Sequence, residues 1–370
     1  MPMTSRDRLM AAMRRTQPYQ LPIQVRGVRA WDREWVATRH PSYRPVIDAV
    51  AEYGDYVLNW GPPGGWFLTQ AQVPATTHQV GHPDWVESIT LWHTPRGDLR
   101  TRHLASKRGL PGMQMEFPIK SLEDVERFLS VPYEPLREID PTSFRAQDEL
   151  AGDRGIVQVY IAQDPIGYVH DLMGSELLAI WSIEERDSIL RLIDEFLRRI
   201  LDRVDLLISA GVGEVFATLG QEYATPPLHS ARDFRRFCVE PERQILERIH
   251  AAGKLLHVHC HGPLDAVLDD FPQIADVLHP LEAPPMGDVT LADGKRRIGD
   301  RVCLEGNIQI GDIYATPTGR FVDMVKRAIE DGIPGGGYIL APTASPHTEV
   351  LTDLTVRNYV AMVETAAAYR

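Results

Sequence analysis

Three histidines occupy alternate positions in the segment LLHVHCHGP, residues 255–263. Successive side chains of a β-strand point to opposite faces, so this spacing predicts that His257, His259 and His261 share one face. Gly262 ends the predicted strand, which places His259 and His261 at its carboxyl end and leaves His257 deeper, as a packing residue. Two imidazoles at a strand end can converge on a transition-metal ion such as zinc. Metal-free acid/base catalysis and a hydrogen-bonded structural role are the alternatives.

A carboxylate ends the next strand-like run along the chain. Glu282 closes the run DVLHPLE, residues 276–282, and could complete a set of two histidines and one glutamate with an open position, the pattern of catalytic zinc. Its alternative role is to cap the backbone at the start of a loop. His279 precedes Pro280 and should face away from Glu282 if the strand is regular, so we expect it to be structural.

Three further side chains near predicted strand ends are candidates for the same site. Glu222 follows the run VFATLG and could act as an acid or base, or instead form an N-cap or a surface salt bridge. Asn307, in the run RVCLEGN, could hydrogen-bond a substrate, although Gly306-Asn307 is also typical of turns. His347 follows the last strand-like run and could supply a further metal ligand.

Aromatic and basic residues are the candidates for substrate binding. Trp60 and Trp66 stand on either side of a Pro- and Gly-rich segment and could line an apolar substrate site, or simply pack. Tyr338, in the run GYILAP, is a further candidate. Arg26 could bind a substrate carboxylate.

Strand-like runs alternate with helical patterns along most of the chain, and this alternation positions the candidate residues. Eight runs are predicted as strands: 21–25, 55–60, 155–162, 215–220, 254–260, 276–282, 301–307 and 337–342. Helices are predicted through the 180s and 190s, at 230–252, briefly from Pro263, at 317–331 and at 349–369. Alternating βα units predict a parallel sheet, and eight strands close a (β/α)₈ TIM barrel with the active site at the strand carboxyl ends.

One stretch between the second and third predicted strands has a different pattern. Residues 88–104 alternate in polarity around the turn sequence Pro95-Arg96-Gly97-Asp98, which predicts a β-hairpin. We expect a single domain over residues 1–370, with a hairpin inserted near the barrel mouth at about 86–106.

Composition excludes several classes of function. The formal net charge is −12 and no cluster of lysine and arginine is present, so nucleic acid is an unfavourable partner. The three cysteines are far apart and lack CxxC spacing, which argues against a disulfide framework. No run of 18 apolar residues and no apolar leader stretch is found, so we expect a soluble, cytoplasmic protein without a membrane span.

Four segments in this order and spacing resemble the uroporphyrinogen-decarboxylase-like superfamily. They are HVHCHG, HPLEAPPMGD at 279–288, RVCLEGNIQ at 301–309 and GGGYIL at 335–340. The resemblance extends weakly over the whole chain and implies a barrel with one of two activities, porphyrinogen-type decarboxylation or corrinoid-dependent methyl transfer. Relatives of this kind are often dimers, and we expect a homodimer.

The methyltransferase branch of that superfamily has a zinc-ligand pattern that this chain follows in part. The pattern is His-x-Cys at one strand end, Glu at the next and a later Cys. His259 matches the first position, His261 stands where the cysteine would be, and Glu282 matches the third. The last cysteine would fall near Ala344, which cannot bind a metal, so the fourth position would be open or held by His347. The resemblance implies a corrinoid on a separate protein, since this chain has no DxHxxG segment.

Replacing thiolate ligands by imidazole makes a bound zinc more Lewis-acidic, which suits the polarisation of a methyl ether oxygen. We therefore expect a methyltransferase acting between a small methylated donor, such as a methyl ether, and a corrinoid protein. The main alternative is a metal-independent decarboxylase or lyase in which Arg26 and Arg29 hold a substrate carboxylate. A metal-dependent hydrolase and a non-catalytic ligand-binding barrel are the remaining hypotheses.

Overall fold

The structure is a computed structural model that describes residues 3–17, 19–107 and 110–370. Its strands are β1 (Tyr56–Trp60), β2 (Ala75–Gly81), β3 (Trp85–Thr94), β4 (Gly97–Ser106), β5 (Met113–Glu116), β6 (Gly155–Gln163), β7 (Val215–Leu219), β8 (Leu255–His259), β9 (Val277–His279), β10 (Cys303–Ile308) and β11 (Tyr338–Pro342). Its α-helices are α1 (Ser5–Met13), α2 (Arg33–Thr38), α3 (Arg44–Tyr53), α4 (Leu122–Leu129), α5 (Thr142–Ala151), α6 (Pro165–Glu184), α7 (Arg186–Ser209), α8 (Ala231–Phe234), α9 (Glu240–Ala251), α10 (Leu291–Ile298), α11 (Ile310–Ala315), α12 (Thr318–Gly332) and α13 (Asp353–Ala367).

A curled parallel sheet forms the centre of the molecule. Its seven strands lie in the order β1-β6-β7-β8-β9-β10-β11, and each neighbouring pair is parallel. Helices alternate with these strands in the sequence, and most of their apolar faces pack in one large buried cluster with the sheet. Since parallel strands need crossover connections, this order gives a TIM-barrel-like fold in which all strand carboxyl ends lie at one edge.

The segment predicted as the first strand, 21–25, lies between the two edge strands of the sheet and makes a single parallel bridge, from Ile23 to Leu340 in β11. The amide of Leu340 donates to the carbonyl of Pro22, and the amide of Gln24 donates to the carbonyl of Leu340. The prediction of a full strand was wrong here. Pro22 has no N–H to donate, and the N–H of Ile23 is used by a carboxylate oxygen of Asp55 at 2.7 Å.

Asp55 joins that segment to β1 and to two distant arginines. Its amide donates to the carbonyl of Ile23, and its buried carboxylate pairs with Arg8 at 2.7 Å and also with Arg370. A buried carboxylate needs partners to offset its loss of hydration, and two guanidinium groups provide them. Residues 8, 23, 55 and 370 therefore meet at one point of the sheet edge.

An antiparallel sheet is inserted in the sequence between β1 and β6. It has four strands in the order β2-β3-β4-β5, and the region predicted as a hairpin, 86–106, corresponds to β3 and β4, which pair from Trp85↔Ser106 to Thr94↔Gly97. Most residues of this sheet are only half-buried or exposed. It packs on the rest of the protein through a few apolar side chains, among them Leu99 and Trp92.

The helices follow the predicted pattern with local departures. The predicted helix 230–252 begins at Ser230, whose hydroxyl caps the amide of Asp233, but its middle is a π-helical turn over Arg235–Val239. The helix expected from Pro263 is instead a 3₁₀ turn at Leu268–Gln273. Among the helices of the described residues, none is both long enough and apolar enough to cross a membrane.

Candidate active site

The carboxyl ends of β8, β9 and β10 bring a group of histidines and charged residues together. His259 is the last residue of β8 and pairs in register with Leu219 of β7 and with His279 of β9. His257 lies two residues earlier on the same face, and its ring faces Glu305 of β10. Because parallel strands end at the same edge, residues from three strands converge there.

His259 and His279 are joined through their Nδ1 atoms, which lie 2.8 Å apart. His279 is fully buried, and its Nε2 lies 3.3 Å from the carbonyl oxygen of Pro342. Burial lowers the pKa of His259 to about 2, helped by the nearby charge of Arg26, and it lowers the pKa of His279 well below its usual value for the same reasons. Both rings are therefore neutral at physiological pH.

A buried network of polar contacts lies beneath these two rings. Nε2 of His257 is 3.1 Å from Oε2 of Glu305, and both side chains are almost completely buried. The second oxygen of Glu305 lies 3.7 Å from Nη1 of Arg26, and the same Arg26 atom is 3.4 Å from Nδ1 of His279. Arg26 thus provides positive charge between the histidines and the carboxylate, and about a quarter of its side chain remains exposed. Its pKa is lowered by burial, an effect that Glu305 opposes.

His261 and Glu282 form the outer part of the site. Nδ1 of His261 lies 3.2 Å from Oε2 of Glu282, which also accepts a hydrogen bond from the amide of Gly262 at 2.9 Å. Gly262 has a φ of 93°, a conformation that favours glycine. Burial raises the pKa of Glu282, but the hydrogen bonds from His261 and Gly262 outweigh it and the net pKa is lowered. The rings of His259 and His261 are nearly perpendicular, with centroids 4.7 Å apart.

Glu222 lies in the short 3₁₀ turn after β7, half-buried, and its electrostatic neighbours include His261. Its Oε2 atom is buried and has no hydrogen-bond partner among the described residues. Burial raises the pKa of this carboxyl, and the charge of His261 only partly offsets the effect. A carboxylic acid that keeps its proton to higher pH is suited to acid/base chemistry.

A cavity of about 420 Å³ opens on His259 from inside the sheet. Its walls include Arg26 and Trp60, whose indole N–H donates to Ser143, together with Tyr160 of β6. Arg26 also borders a wider hollow of about 740 Å³ whose walls carry Arg29 and further charged residues. Arg26 therefore lines both hollows, and it can meet an anionic group of a molecule bound in the one that includes His259.

The donor atoms suit a zinc ion, although no group of three metal-binding side chains is preformed within the described ranges. His259 uses Nδ1 for its contact with His279, and its Nε2 makes no hydrogen bond to any described residue. Both contacts of Glu282 are made through Oε2. Nε2 of His259, the ring of His261 and Oε1 of Glu282 are the donor atoms that could hold such an ion, since imidazole and carboxylate are ligands that zinc prefers.

The structure places four sequence-predicted residues away from this cluster. Tyr338 is completely buried and its hydroxyl donates to the carbonyl of Gly306 at 2.8 Å, so it packs the fold rather than facing a substrate. Trp66 packs in an aromatic cluster with Trp92 and Phe128.

Asn307 borders a separate hollow of about 270 Å³ beside α12. His347 is exposed and stacks on Tyr314 with ring centroids 4.7 Å apart. Within the described residues it contacts none of His259, His261 and Glu282.

Two residues of the cluster were not predicted as functional, namely His279 and Glu305. Alternation along a regular strand led to the prediction that His279 faces away from Glu282. However, β9 ends at His279, so alternation does not apply to the residues between His279 and Glu282. Glu305 could have been predicted from the alternation of side chains along β10, because the strand continues through this residue. Alternation places its side chain on the inner face, where it contacts His257.

Residues 158–369 match the sequence profile of the family described as uroporphyrinogen decarboxylase (URO-D). Over 180 residues the chain is 25% and 24% identical to two sequences of the methylcobamide:CoM methyltransferase MtaA, one from Methanosarcina barkeri and one from its strain Fusaro. These matches cover 49% of this chain, and the chain spans about half the length of the curated relatives it matches. A solved methyltransferase from Methanosarcina mazei superposes with a TM-score of 0.61 at 17% identity, over 99% of each chain, and shares the fold.

Proposed function

Because the chain belongs to the uroporphyrinogen decarboxylase family, we propose that it is a zinc-dependent methyltransferase that works between a small methylated donor and a corrinoid on a separate protein. The names of the curated relatives support methyl transfer involving a cobamide. The observation that carries the proposal is the free Nε2 of a neutral His259, at a strand carboxyl end and bordering a cavity of about 420 Å³.

Zinc would be held by His259, His261 and Glu282. Bound there, zinc would supply a Lewis acid that polarises the oxygen of a methyl ether, which suits the donor-side reaction better than thiol methylation. His261 is the ligand best placed to face an incoming molecule, since 38% of its side chain is exposed. Ala344 offers no fourth donor, so the substrate would have to supply any further ligand.

Two side chains of the cavity would position the donor, and Glu222, an electrostatic neighbour of His261, would supply the proton. Arg26 can bind a carboxylate of the donor, because its guanidinium faces the cavity and always carries charge. Trp60 gives the cavity an apolar wall. Glu222, whose pKa is raised by burial, can hold a proton and give it to the ether oxygen as the methyl group leaves, so that the oxygen departs as a neutral hydroxyl.

The test is a methyl-transfer assay with zinc-loaded protein, free cob(I)alamin and a panel of methyl ethers with and without a carboxylate. We expect conversion of cob(I)alamin to methylcobalamin, followed by its visible absorbance. His259→Ala should abolish this conversion, and the matched control His347→Ala should leave it unchanged, because His347 stacks on Tyr314 outside the cluster. Full activity of metal-free protein in the presence of a chelator would contradict the zinc mechanism.

A metal-independent decarboxylase or lyase is the second candidate, favoured by the placement of Arg26. Its guanidinium lies between the histidine cluster and the two hollows, where it could bind the carboxylate of a substrate. Neutral His259 or Glu222 would then accept or donate the proton. Release of carbon dioxide from small carboxylic acids by metal-free protein, lost in Arg26→Leu, would favour this reaction over methyl transfer.

A further inference from the structure

Each ring nitrogen of His279 lies close to a polar group, and each of these groups can take only one part in a hydrogen bond. Nε2 faces the carbonyl oxygen of Pro342 at 3.3 Å, and a carbonyl can only accept a hydrogen bond. Nδ1 lies 3.4 Å from Nη1 of Arg26, and a guanidinium can only donate. The proton of His279 is therefore on Nε2, and the lone pair is on Nδ1.

This assignment fixes the proton of the neighbouring ring. Nδ1 of His259 lies 2.8 Å from Nδ1 of His279, a distance at which one of the two atoms must donate. Since Nδ1 of His279 carries the lone pair, Nδ1 of His259 carries the hydrogen. The ring planes differ by 15° while the ring centroids are 4.9 Å apart. Two rings so nearly parallel, with centroids much farther apart than their nearest nitrogens, lie edge to edge, which is the geometry of an in-plane N–H···N hydrogen bond.

We propose that His279 is a positioning residue that holds His259 in the Nδ1–H tautomer, with the Nε2 lone pair directed to a ligand in the cavity. The role of this lone pair in binding zinc rests on the proposed function, but the assignment of the tautomer does not. Protein zinc sites orient their histidines by a hydrogen bond from the other ring nitrogen, usually to a carboxylate or a carbonyl. Here the acceptor is a neutral imidazole, which adds no negative charge to the ligand and so preserves the electrophilic character of a bound metal.

The tautomer can be measured directly by NMR on the metal-free full-length protein with ¹⁵N-labelled histidine. His259 and His279 are assigned from the signals lost in His259→Ala and His279→Ala. We expect the hydrogen of His259 on Nδ1 and that of His279 on Nε2. A hydrogen on Nε2 of His259, or a cationic ring at either position, would overturn the proposal. If the tautomers are as expected but added zinc leaves Nε2 of His259 unshifted, the positioning role stands and the zinc proposal fails.

A pair of variants separates positioning from simple packing. His279→Gln retains an amide oxygen that can accept from His259 and an NH₂ group that can donate to Pro342, whereas His279→Leu fills similar space with neither. We expect the zinc affinity, measured by competition with a chromophoric chelator, to fall about 10- to 100-fold in His279→Leu and much less in His279→Gln. Equal losses in both variants, or no loss in either, would overturn the role of His279. The NMR measurement on the unmodified protein decides the matter if His279→Leu does not fold.

Discussion

Replacing His257 should destabilise the fold without removing zinc from the proposed metal site. Nε2 of His257 lies 3.1 Å from Oε2 of Glu305, and the two side chains are only 1% and 2% exposed. With alanine at position 257, Glu305 keeps Arg26 at 3.7 Å and His279 at 4.0 Å as its nearest partners. A buried carboxylate is then left with one oxygen poorly compensated.

The expected cost follows from two contributions. Loss of a hydrogen bond to a charged group costs about 1.5–3 kcal/mol, and the space left by the ring adds about 2 kcal/mol. We therefore expect His257→Ala to lower the free energy of unfolding by about 4 kcal/mol, a large part of the roughly 5–15 kcal/mol that is usual for a folded domain. His257→Gln can still donate to Glu305 from its amide, so its loss should be about 1–2 kcal/mol.

Urea unfolding of the metal-free proteins, followed by tryptophan fluorescence and circular dichroism, measures these losses. The zinc content of the folded variants is measured in parallel, and we expect it to match that of the unmodified protein, because His257 lies deeper along the chain of β8 than the proposed ligands His259 and His261. If His257→Gln were as unstable as His257→Ala, the bond to Glu305 would not be the source of the stability. Loss of zinc in a folded His257→Ala protein would show that His257 belongs to the metal site.

Three further predictions concern the site. His261→Ala should reduce zinc from about one ion per chain to near zero and abolish methyl transfer, measured by elemental analysis and the cob(I)alamin assay; retained zinc would exclude His261 as a ligand. Arg26→Leu should raise the KM for carboxylate-bearing donors at least tenfold while Arg29→Ala, an exposed neighbour, changes it little; equal effects would refute selective binding by Arg26. Lowering the pH from 7 to about 4 should cost the unmodified metal-free protein more stability than His259→Phe, because buried His259 stays neutral in the fold while the same ring becomes protonated in the unfolded chain. The contribution of this ring is fully present above the usual histidine pKa of 6.5 and declines by up to about 1.4 kcal/mol per pH unit below it. The comparison cancels the opposite effect of buried carboxyls such as Glu242, whose pKa is raised to about 7; urea midpoints of the two proteins that change in parallel would contradict the prediction.

Local sequence patterns were sufficient to predict most of the parallel strands. The runs at 55–60, 155–162 and 254–260 correspond closely to β1, β6 and β8. A buried strand can be predicted locally because its own residues are mostly apolar. The inserted sheet was predicted only in part. Strand β2, Ala75–Gly81, is exposed at nearly every position, so no alternation of burial marks it in the sequence.

The candidate site shows what local patterns cannot predict. His259 and His261 were found from their spacing alone, and their position at a strand end follows from Gly262. The contacts of Arg26 with His279 and Glu305 join residues 253 and more positions apart in the chain. Such contacts depend on how the sheet curls in three dimensions, and the pattern of residues along a single strand does not predict them.

The meeting of Arg8 and Arg370 on Asp55 has a consequence for how the chain folds. Arg370 lies 315 positions from Asp55 in sequence. Bringing such distant residues together costs conformational entropy of the chain, and this cost is offset only when the contacts around them have formed. During synthesis the contact between Asp55 and Arg8 can form early, because the two residues are only 47 positions apart. The contact between Asp55 and Arg370 can form only after residue 370 has left the ribosome. We expect a nascent chain to form β1 and its neighbours first, while the sheet edge beside Ile23 completes its contacts only after Arg370 has been synthesised.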